Sequence, residues 1–389
     1  MPASAEAGGI GLYVHWPFCR SKCPYCDFNS HVRDAIDQRR WRAALLKDLD
    51  AAARGHEGRR LDSIFFGGGT PSLMDAETVA ALLARARALF AFAPDIEITL
   101  EANPNSAEAA AFEAYARAGV NRLSLGVQAL DDAALVQLGR AHGASEARAA
   151  LGLARSLFPR FSFDLIYARP GQDPAAWRTE LSEALALAGD HLSAYALTFE
   201  PGTPFHARLK RGEIRPPDED TQAAMFEATR EIAAAHGFAA YEVSNHARRG
   251  GESRHNLVYW RYADYLGIGP GAHGRERGRD GAIAAIRRAR SPEAWLDQVE
   301  GAGSGEEARE ALDRREAATE MLMMGLRLSE GVARDRFAAR IGAPLEDFVD
   351  PDAARDLSGR GLLTYQDDRI AATAAGRAVL DRLLAKLLV

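Results

Sequence analysis

Cys19, Cys23 and Cys26 are the only cysteines among 389 residues. They share one short run, Cys19-Arg-Ser-Lys-Cys23-Pro-Tyr-Cys26, just after an apolar stretch from Ile10 to Trp16. Three thiolates on one loop can hold three irons of a [4Fe–4S] cube. Such clusters ordinarily take four cysteines, so three with none to spare leave one iron open to a small chelating ligand. The competing reading is a structural zinc ion completed by His15 or His31. Zinc sites favour two pairs of ligands, the second distant in sequence, and this chain has no second pair of cysteines.

The elements that must carry such a loop can be read from the apolar pattern. Runs of strand length recur at Ile10–Trp16, Leu61–Phe66, Asp95–Leu100, Val120–Val127, Phe161–Ile166 and His191–Leu197, with helical patterns between them. Arg33–Ala53 follows the cysteines, Ala76–Phe92 follows Asp75, and Ser106–Ala118 follows Asn105. Asp131–Phe158 is long and breaks at Gly143, and Pro174–Ala188 places proline in a first turn, where the missing N–H costs least. Regular alternation of strand and helix means parallel strands with right-handed crossovers. Six units fall short of a closed eight-fold barrel, so the spacing predicts an α/β fold with an open, partial (β/α)6 TIM-like barrel. In such barrels chemistry sits at the C-terminal ends of the strands. Cys19 falls there, as do the turn Gly67-Gly-Gly-Thr-Pro71, Glu101, Gln128 and Asp164.

Beyond the sixth strand, Phe238–Asn245 and Tyr265–Ile268 look strand-like, and the charged, small-residue stretch from Gly278 to Glu307 reads as a linker. Arg314–Leu328, Gly331–Ile341 and Pro351–Gly359 look helical, followed by a hairpin, Leu362–Tyr365 with Arg369–Ala372, and a last helix Thr373–Leu388. Helices followed by a small hairpin predict a winged-helix-like C-terminal domain. Net charge is −6, with 47% hydrophobic and 26% charged residues. That balance is ordinary for a globular protein, lacks the basic footprint of a nucleic-acid binder, and gives the winged shape a protein-contact or packing role. No apolar run approaches the roughly 18 residues of a membrane span. Met1 to Gly9 has neither the basic nor the apolar region of a secretory signal, and clustered thiols suit a reducing cytosol.

Residues Tyr13 through Phe28 resemble the cluster loop of the radical S-adenosylmethionine (SAM) enzymes, and the chain resembles throughout the branch containing the oxygen-independent coproporphyrinogen oxidase HemN and its relative HemW. That resemblance implies a radical SAM barrel over 1–245, a barrel extension and linker over 246–300, and a HemN-type winged-helix-like domain over 301–389. It implies a [4Fe–4S] cluster on Cys19, Cys23 and Cys26, with SAM chelating the open iron. It also implies SAM contacts at Tyr13, Tyr25, Gly68, Gly69, Thr70, Glu101, Gln128, Arg140 and Asp164. A carboxylate such as Glu101 suits a cationic ammonium and sulfonium, and glycines let backbone approach a ligand closely.

Two departures separate the branches. The oxidase branch has a fourth cysteine two places after the third, where this chain has Phe28, and it carries an extension before the cluster strand. The run His255-Asn256-Leu-Val-Tyr259-Trp260 resembles a mark of the HemW branch. That resemblance implies a haem chaperone in which His255, Asn256, Tyr259 and Trp260 contact haem, an imidazole being a fit ligand for haem iron and the aromatic pair a face for the ring. Read without the family, the same residues are core, and His246 and His273 compete with His255 as ligands. Met321, Met323 and Met324 read as packing. The implied partners are haem-accepting proteins, respiratory membrane enzymes among them, reached from the cytoplasm or from the inner membrane face; a dimer is admitted and no nucleic acid is expected. Conversion of coproporphyrinogen III to protoporphyrinogen IX is the alternative activity.

Overall fold

The computed structural model describes residues 9–278 and 280–388. The first eight residues, most of the stretch read as lacking a leader, lie outside them. Six strands, β1 (Ile10–Trp16), β2 (Arg60–Gly68), β3 (Ala91–Ala102), β4 (Arg122–Gln128), β5 (Arg160–Tyr167) and β6 (His191–Ala196), lie side by side in chain order, all parallel. The expected alternation with helices holds, with small adjustments. The helix expected over Ser106–Ala118 is two pieces, Ser106–Ala109 and Phe112–Ala118, and the one expected over Asp131–Phe158 is likewise two, Asp132–Gln137 and Ala144–Leu157, the first ending before Gly143 and the second starting directly after it.

The register explains why the strands curl. Paired positions across the sheet put Leu12 beside Ile64, Ile64 beside Ile98, Leu100 beside Leu123 and Leu125 beside Phe163. These apolar residues form one continuous core with the surrounding helices. The alternate positions carry polar groups: Ser63 pairs with Glu97, Glu101 with Ser124, Ser124 with Ser162, and Asp164 with Ser193. Side chains alternate faces along a strand, so the inner face of the barrel is polar and the outer face is the core.

The barrel stays open, as its six units predict. β7 (Asn245–Ala247) adds antiparallel to β6, and β8 (Tyr265–Ile268) adds parallel to the outer side of β1. The helix Arg254–Trp260 connects these two edges. Ser253 caps it by accepting from the Asn256 N–H at 3.3 Å.

The stretch from Gly278 to Glu307 is not a linker. It holds β10 (Ile283–Arg288), the helix Pro292–Ala302 and the start of β11 (Glu306–Leu312), which continue the sheet outward from β8 through β9 (His273–Arg277). Its charges misled because they pair across strands, as in Arg288 of β10 with Glu306 of β11 at 3.4 Å. Fully buried Asp48 fixes this extension to the helix Gln38–Ala52: it accepts from Gly269 N at 3.0 Å, Gly305 N at 2.9 Å and Trp295 Nε1 at 3.1 Å. Trp295 also stacks on Trp41, centroids 5.4 Å apart. The expected strand Phe238–Asn245 is only Ala239–Ala240, because the chain turns before Asn245.

The C-terminal helices and a three-stranded sheet, Val332–Ala333, Arg369–Ala372 and Leu363–Tyr365, build a second core of their own. Arg340 joins this unit to the barrel through Asp264 at 2.7 Å, and Arg327 joins it through Glu242 at 3.1 Å. Among the described residues no helix is long and apolar enough to cross a membrane.

Candidate functional site

β1 delivers the chain to the barrel rim, where Phe18–Cys19 pairs in parallel with His31–Val32 and so folds the cysteine loop back on itself. Cys23 and Cys26 are drawn together by the Cys26 N–H donating to the Cys23 carbonyl at 3.1 Å. All three thiols are free. Thr70 Oγ1 donates to Cys19 Sγ at 3.3 Å, and Arg140 Nη1 donates to Cys23 Sγ at 3.3 Å. Burial pushes the Cys19 and Cys26 thiols up, and neighbouring thiols add to it. Among the described residues no three His, Cys, Asp or Glu side chains converge on one metal ion. A cube takes one iron per thiolate and does not require that convergence, so this donor set fits a cluster better than a zinc ion.

The glycine turn after β2 is built for close approach to this loop. Gly68 has φ +118°, a conformation that side chains other than glycine rarely adopt, and Gly69 N donates to the Trp16 carbonyl at 2.7 Å. A Cβ on Gly69 would sit 2.8 Å from the Phe18 carbonyl oxygen and 3.0 Å from Cys19 Sγ. The turn therefore packs against the first cysteine with no room for a side chain.

A cavity of about 700 Å³ opens beside the loop. It is lined by the three cysteines, Tyr25, Gly68, Gly69, Thr70, Glu101, Gln128, Arg140 and Asp164. Eleven of the twelve residues expected at the cluster and SAM line it; Tyr13 alone is off the wall. Its hydroxyl bonds His15 Nδ1 at 3.0 Å, and its ring packs beside the Phe65–His255 stack, 6.3 Å from each ring.

The electrostatics of the cavity favour a cation. Glu101 accepts from the Gly68 N–H at 3.3 Å. Enclosure raises its pKa to about 8, with repulsion from Asp164 adding and the Gly68 bond opposing. Enclosure likewise raises Asp164 to about 6, against a hydrogen bond from Ser193. Two carboxylates thus face one space; Arg122 acts on both and Arg140 on Asp164, but among the described residues neither carboxylate forms an ion pair. Gln128 has φ +71° at the end of β4, where the ladder with β5 is irregular. Such a conformation is uncommon outside glycine and turns this side chain toward the cavity. Arg140 is spoken for: besides Cys23 it reaches Tyr25 Oη at 3.4 Å, Asn103 Oδ1 at 2.5 Å and the Gly126 carbonyl at 2.8 Å. It is a brace between the cysteine loop and β4 as well as a wall residue.

Sequence reading missed Asn103, Tyr195 and Arg377, which also line the cavity. Asn103 was legible, two places after Glu101. Tyr195 follows from alternation with His191 and Ser193 on β6. Arg377, in the C-terminal domain, had no local signal.

The His255 motif lies elsewhere. His255 is buried at the lower end of the barrel, its Nδ1 bonded to Ser63 Oγ at 2.8 Å and its Nε2 to Tyr259 Oη at 2.7 Å. Its pKa is lowered to about 3 by burial and by Arg122. Both ring nitrogens are engaged, so this arrangement does not offer His255 as an iron ligand. Asn256 reaches Tyr241 Oη at 3.4 Å, and Tyr259 packs edge-on against Tyr265. Trp260 lies under the Arg327 guanidinium, 4.6 Å from its carbon, and faces a smaller pocket of about 280 Å³ against the C-terminal domain. The motif thus closes the bottom of the open barrel and docks the C-terminal domain. Of the other histidines considered as ligands, His246 is buried and His273 is exposed.

The class to which this fold and site belong is set by likeness to known proteins. The Radical SAM superfamily model matches residues 13–182, and the HemN C-terminal domain model matches residues 312–379. The solved structure of Escherichia coli coproporphyrinogen III oxidase, HemN, superposes with a TM-score of 0.80 at 23% identity, covering 97% of this chain and 89% of that one. A Bos taurus protein named radical S-adenosyl methionine domain-containing protein 1, mitochondrial, is 40% identical over 396 residues, covering 100% of this chain and 88% of that one. The Escherichia coli (strain K12) protein named heme chaperone HemW is 38% identical over 377 residues, covering 96% of this chain and 97% of that one. The chain belongs to the HemW-type branch of the HemN/HemW family of radical SAM proteins.

Proposed function

We propose that this protein is a haem chaperone on a radical SAM frame, one that binds a [4Fe–4S] cluster, SAM and haem and passes haem to acceptor haemoproteins. The observation that carries the reading is end-to-end likeness to proteins named heme chaperone HemW, 38% identical to the one from Escherichia coli over 96% of this chain. Phe28, 61% exposed at the cavity mouth, agrees with it, since a thiolate is missing where the oxidase branch has one.

In this reading Cys19, Cys23 and Cys26 hold the cluster, which would supply one electron to a chelated sulfonium. Gly68, Gly69 and Thr70 lie against the ligand's amino-acid end, with Glu101 supplying negative charge for its cations. Asp164 and Gln128 lie farther along the wall. Arg140 holds the cysteine loop and β4 at a fixed distance. Acceptors would be haem-requiring proteins, respiratory membrane enzymes included, approached from the cytoplasm or the inner membrane face, and the winged-helix-like domain would serve protein contact, a dimer contact included, rather than nucleic-acid binding.

The test is anaerobic reconstitution with iron, sulfide and haem, followed by a spectrum and a SAM-cleavage assay on one sample. Stoichiometric haem uptake with a Soret band is expected. A protein that takes up the cluster and SAM but no haem would refute the chaperone reading, and protoporphyrinogen formation from coproporphyrinogen III would establish the oxidase in its place.

A further inference from the structure

The cavity has two ends of different origin. The cysteine loop, the glycine turn and the strand rim make one. The other is made by Tyr195 at the top of β6, Phe226 on the helix Glu219–Ala235, Val243 and Ser244 before β7, and Arg377 with Ala378 on the C-terminal helix Ala374–Ala378. No role at the cluster or SAM calls for this second group.

Arg377 is the residue that asks for an explanation. Among the described residues its guanidinium makes one hydrogen bond, from Nη1 to the Ala372 carbonyl at 2.8 Å, and no carboxylate stands within ion-pair distance. Glu242 is the acid close enough to act on it, but both Glu242 oxygens are taken. Oε1 accepts from Ser244 N at 2.7 Å and Asn245 Nδ2 at 2.5 Å, and Oε2 pairs with Arg327 at 3.1 Å. Burial pulls the Arg377 pKa down, and the second positive charge of nearby Arg230 adds to it. A half-buried charge without a partner is costly. An anionic ligand in the cavity would remove that cost, and a guanidinium matches a carboxylate at two points. Tyr195, 39% exposed, and Phe226 offer flat apolar area beside it.

We infer that this end of the cavity binds a flat, apolar ligand that carries a carboxylate, with Arg377 as the carboxylate anchor. The C-terminal domain is then part of the binding site as well as a cap on the barrel. This deepens the proposed function and rests on it for the ligand's identity: haem is such a molecule, its two propionates being the only anions on an apolar ring.

The experiment compares haem with haem dimethyl ester, in which the propionates are neutral, by Soret titration of the full-length, anaerobically reconstituted protein. The wild-type chain should bind haem at least tenfold more tightly than the diester. Arg377→Ala should weaken haem on the order of 10- to 100-fold, as expected for loss of a charge-assisted pair, and leave the diester unchanged. Arg377→Lys should recover part of the loss. Equal wild-type affinity for haem and diester overturns the inference without any variant, so a poorly folding mutant cannot shelter it. Haem binding that Arg377→Ala does not alter, or that falls equally for both ligands, also overturns it while leaving the chaperone reading in place. A wild-type protein that binds neither tetrapyrrole sinks both.

Discussion

Glu97 and Glu101 lie four residues apart on β3, and both point into the barrel, yet they live in opposite circumstances. Glu97 sits at the lower end. Its carboxylate takes Arg160 Nη1 at 2.6 Å, Arg122 Nε at 3.8 Å, the His255 N–H at 3.2 Å and Ser253 Oγ at 3.4 Å. Glu101 sits at the upper end with one backbone N–H at 3.3 Å and a second carboxylate, Asp164, as its neighbour. The same side chain on the same strand is a closed structural joint at one end and an unfilled demand for a cation at the other. A saturated carboxylate holds a fold together; an unsaturated one waits for a ligand.

The comparison breaks first at Glu97. Replacing it with Gln removes the negative partner of two arginines in a water-poor site, and losing one member of a buried pair costs about 3–5 kcal/mol. Urea unfolding of Glu97→Gln should show a loss of that size, and the folded fraction should bind SAM normally. A loss below about 1 kcal/mol would mean the lower network is not structural.

Glu101→Gln should do the reverse. Its SAM affinity should fall on the order of 10- to 100-fold, the value of a charge-assisted contact, measured by calorimetry on the cluster-loaded protein. Its stability without SAM should match or exceed the wild type at pH 8, because the variant no longer encloses a charge. Unchanged SAM affinity would show that the open carboxylate serves something else.

The pH dependence sharpens the same contrast. Unfolded Glu101 ionises near 4.5, while in the fold it holds its proton up to about 8. Between those values the unfolded chain binds fewer protons than the native one, so stability without ligand falls as pH rises through that window. Asp164 acts in the same sense between 3.8 and about 6. Glu101→Gln should flatten the slope between pH 6 and 8. A cationic ligand favours the ionised form, so SAM binding near pH 7 should release protons. Calorimetry in buffers of different ionisation enthalpy reads that release directly, and no proton release from the wild type would remove Glu101 from the SAM site.

Much of the upper end was legible in the chain. The three cysteines, the glycine turn and Glu101 each end a strand-length apolar run, and a parallel barrel gathers strand ends on one rim. Spacing alone therefore placed them. The lower end was not legible, because its partners come from three distant segments: Glu97, Arg160 and His255 meet only when the helix Arg254–Trp260 crosses the open seam. The extension over residues 278–307 was misread for a related reason. Its charges look like those of a linker until they are seen to pair across β9, β10 and β11. Arg377 was invisible because nothing in its own helix points to the barrel.

The smallest expected effect belongs to His255, and it tests whether the motif belongs to the structural end. Its imidazole links Ser63 to Tyr259 in a buried site, so His255→Ala leaves two hydroxyls without partners, at a cost of about 1–3 kcal/mol. The wild-type ring resists protonation down to about pH 3, whereas the unfolded ring takes up a proton near 6.5. Stability from this residue is therefore complete above 6.5 and declines as the solution is acidified toward 3. His255→Ala should lose that acid sensitivity and show a lower melting temperature, with haem affinity within about twofold of wild type. A vanished Soret band in a variant that still melts cooperatively would reverse the assignment. It would mean that the helix leaves the barrel seam to present His255 to iron, and that the lower end opens in a way the saturated bonding of Glu97 argues against.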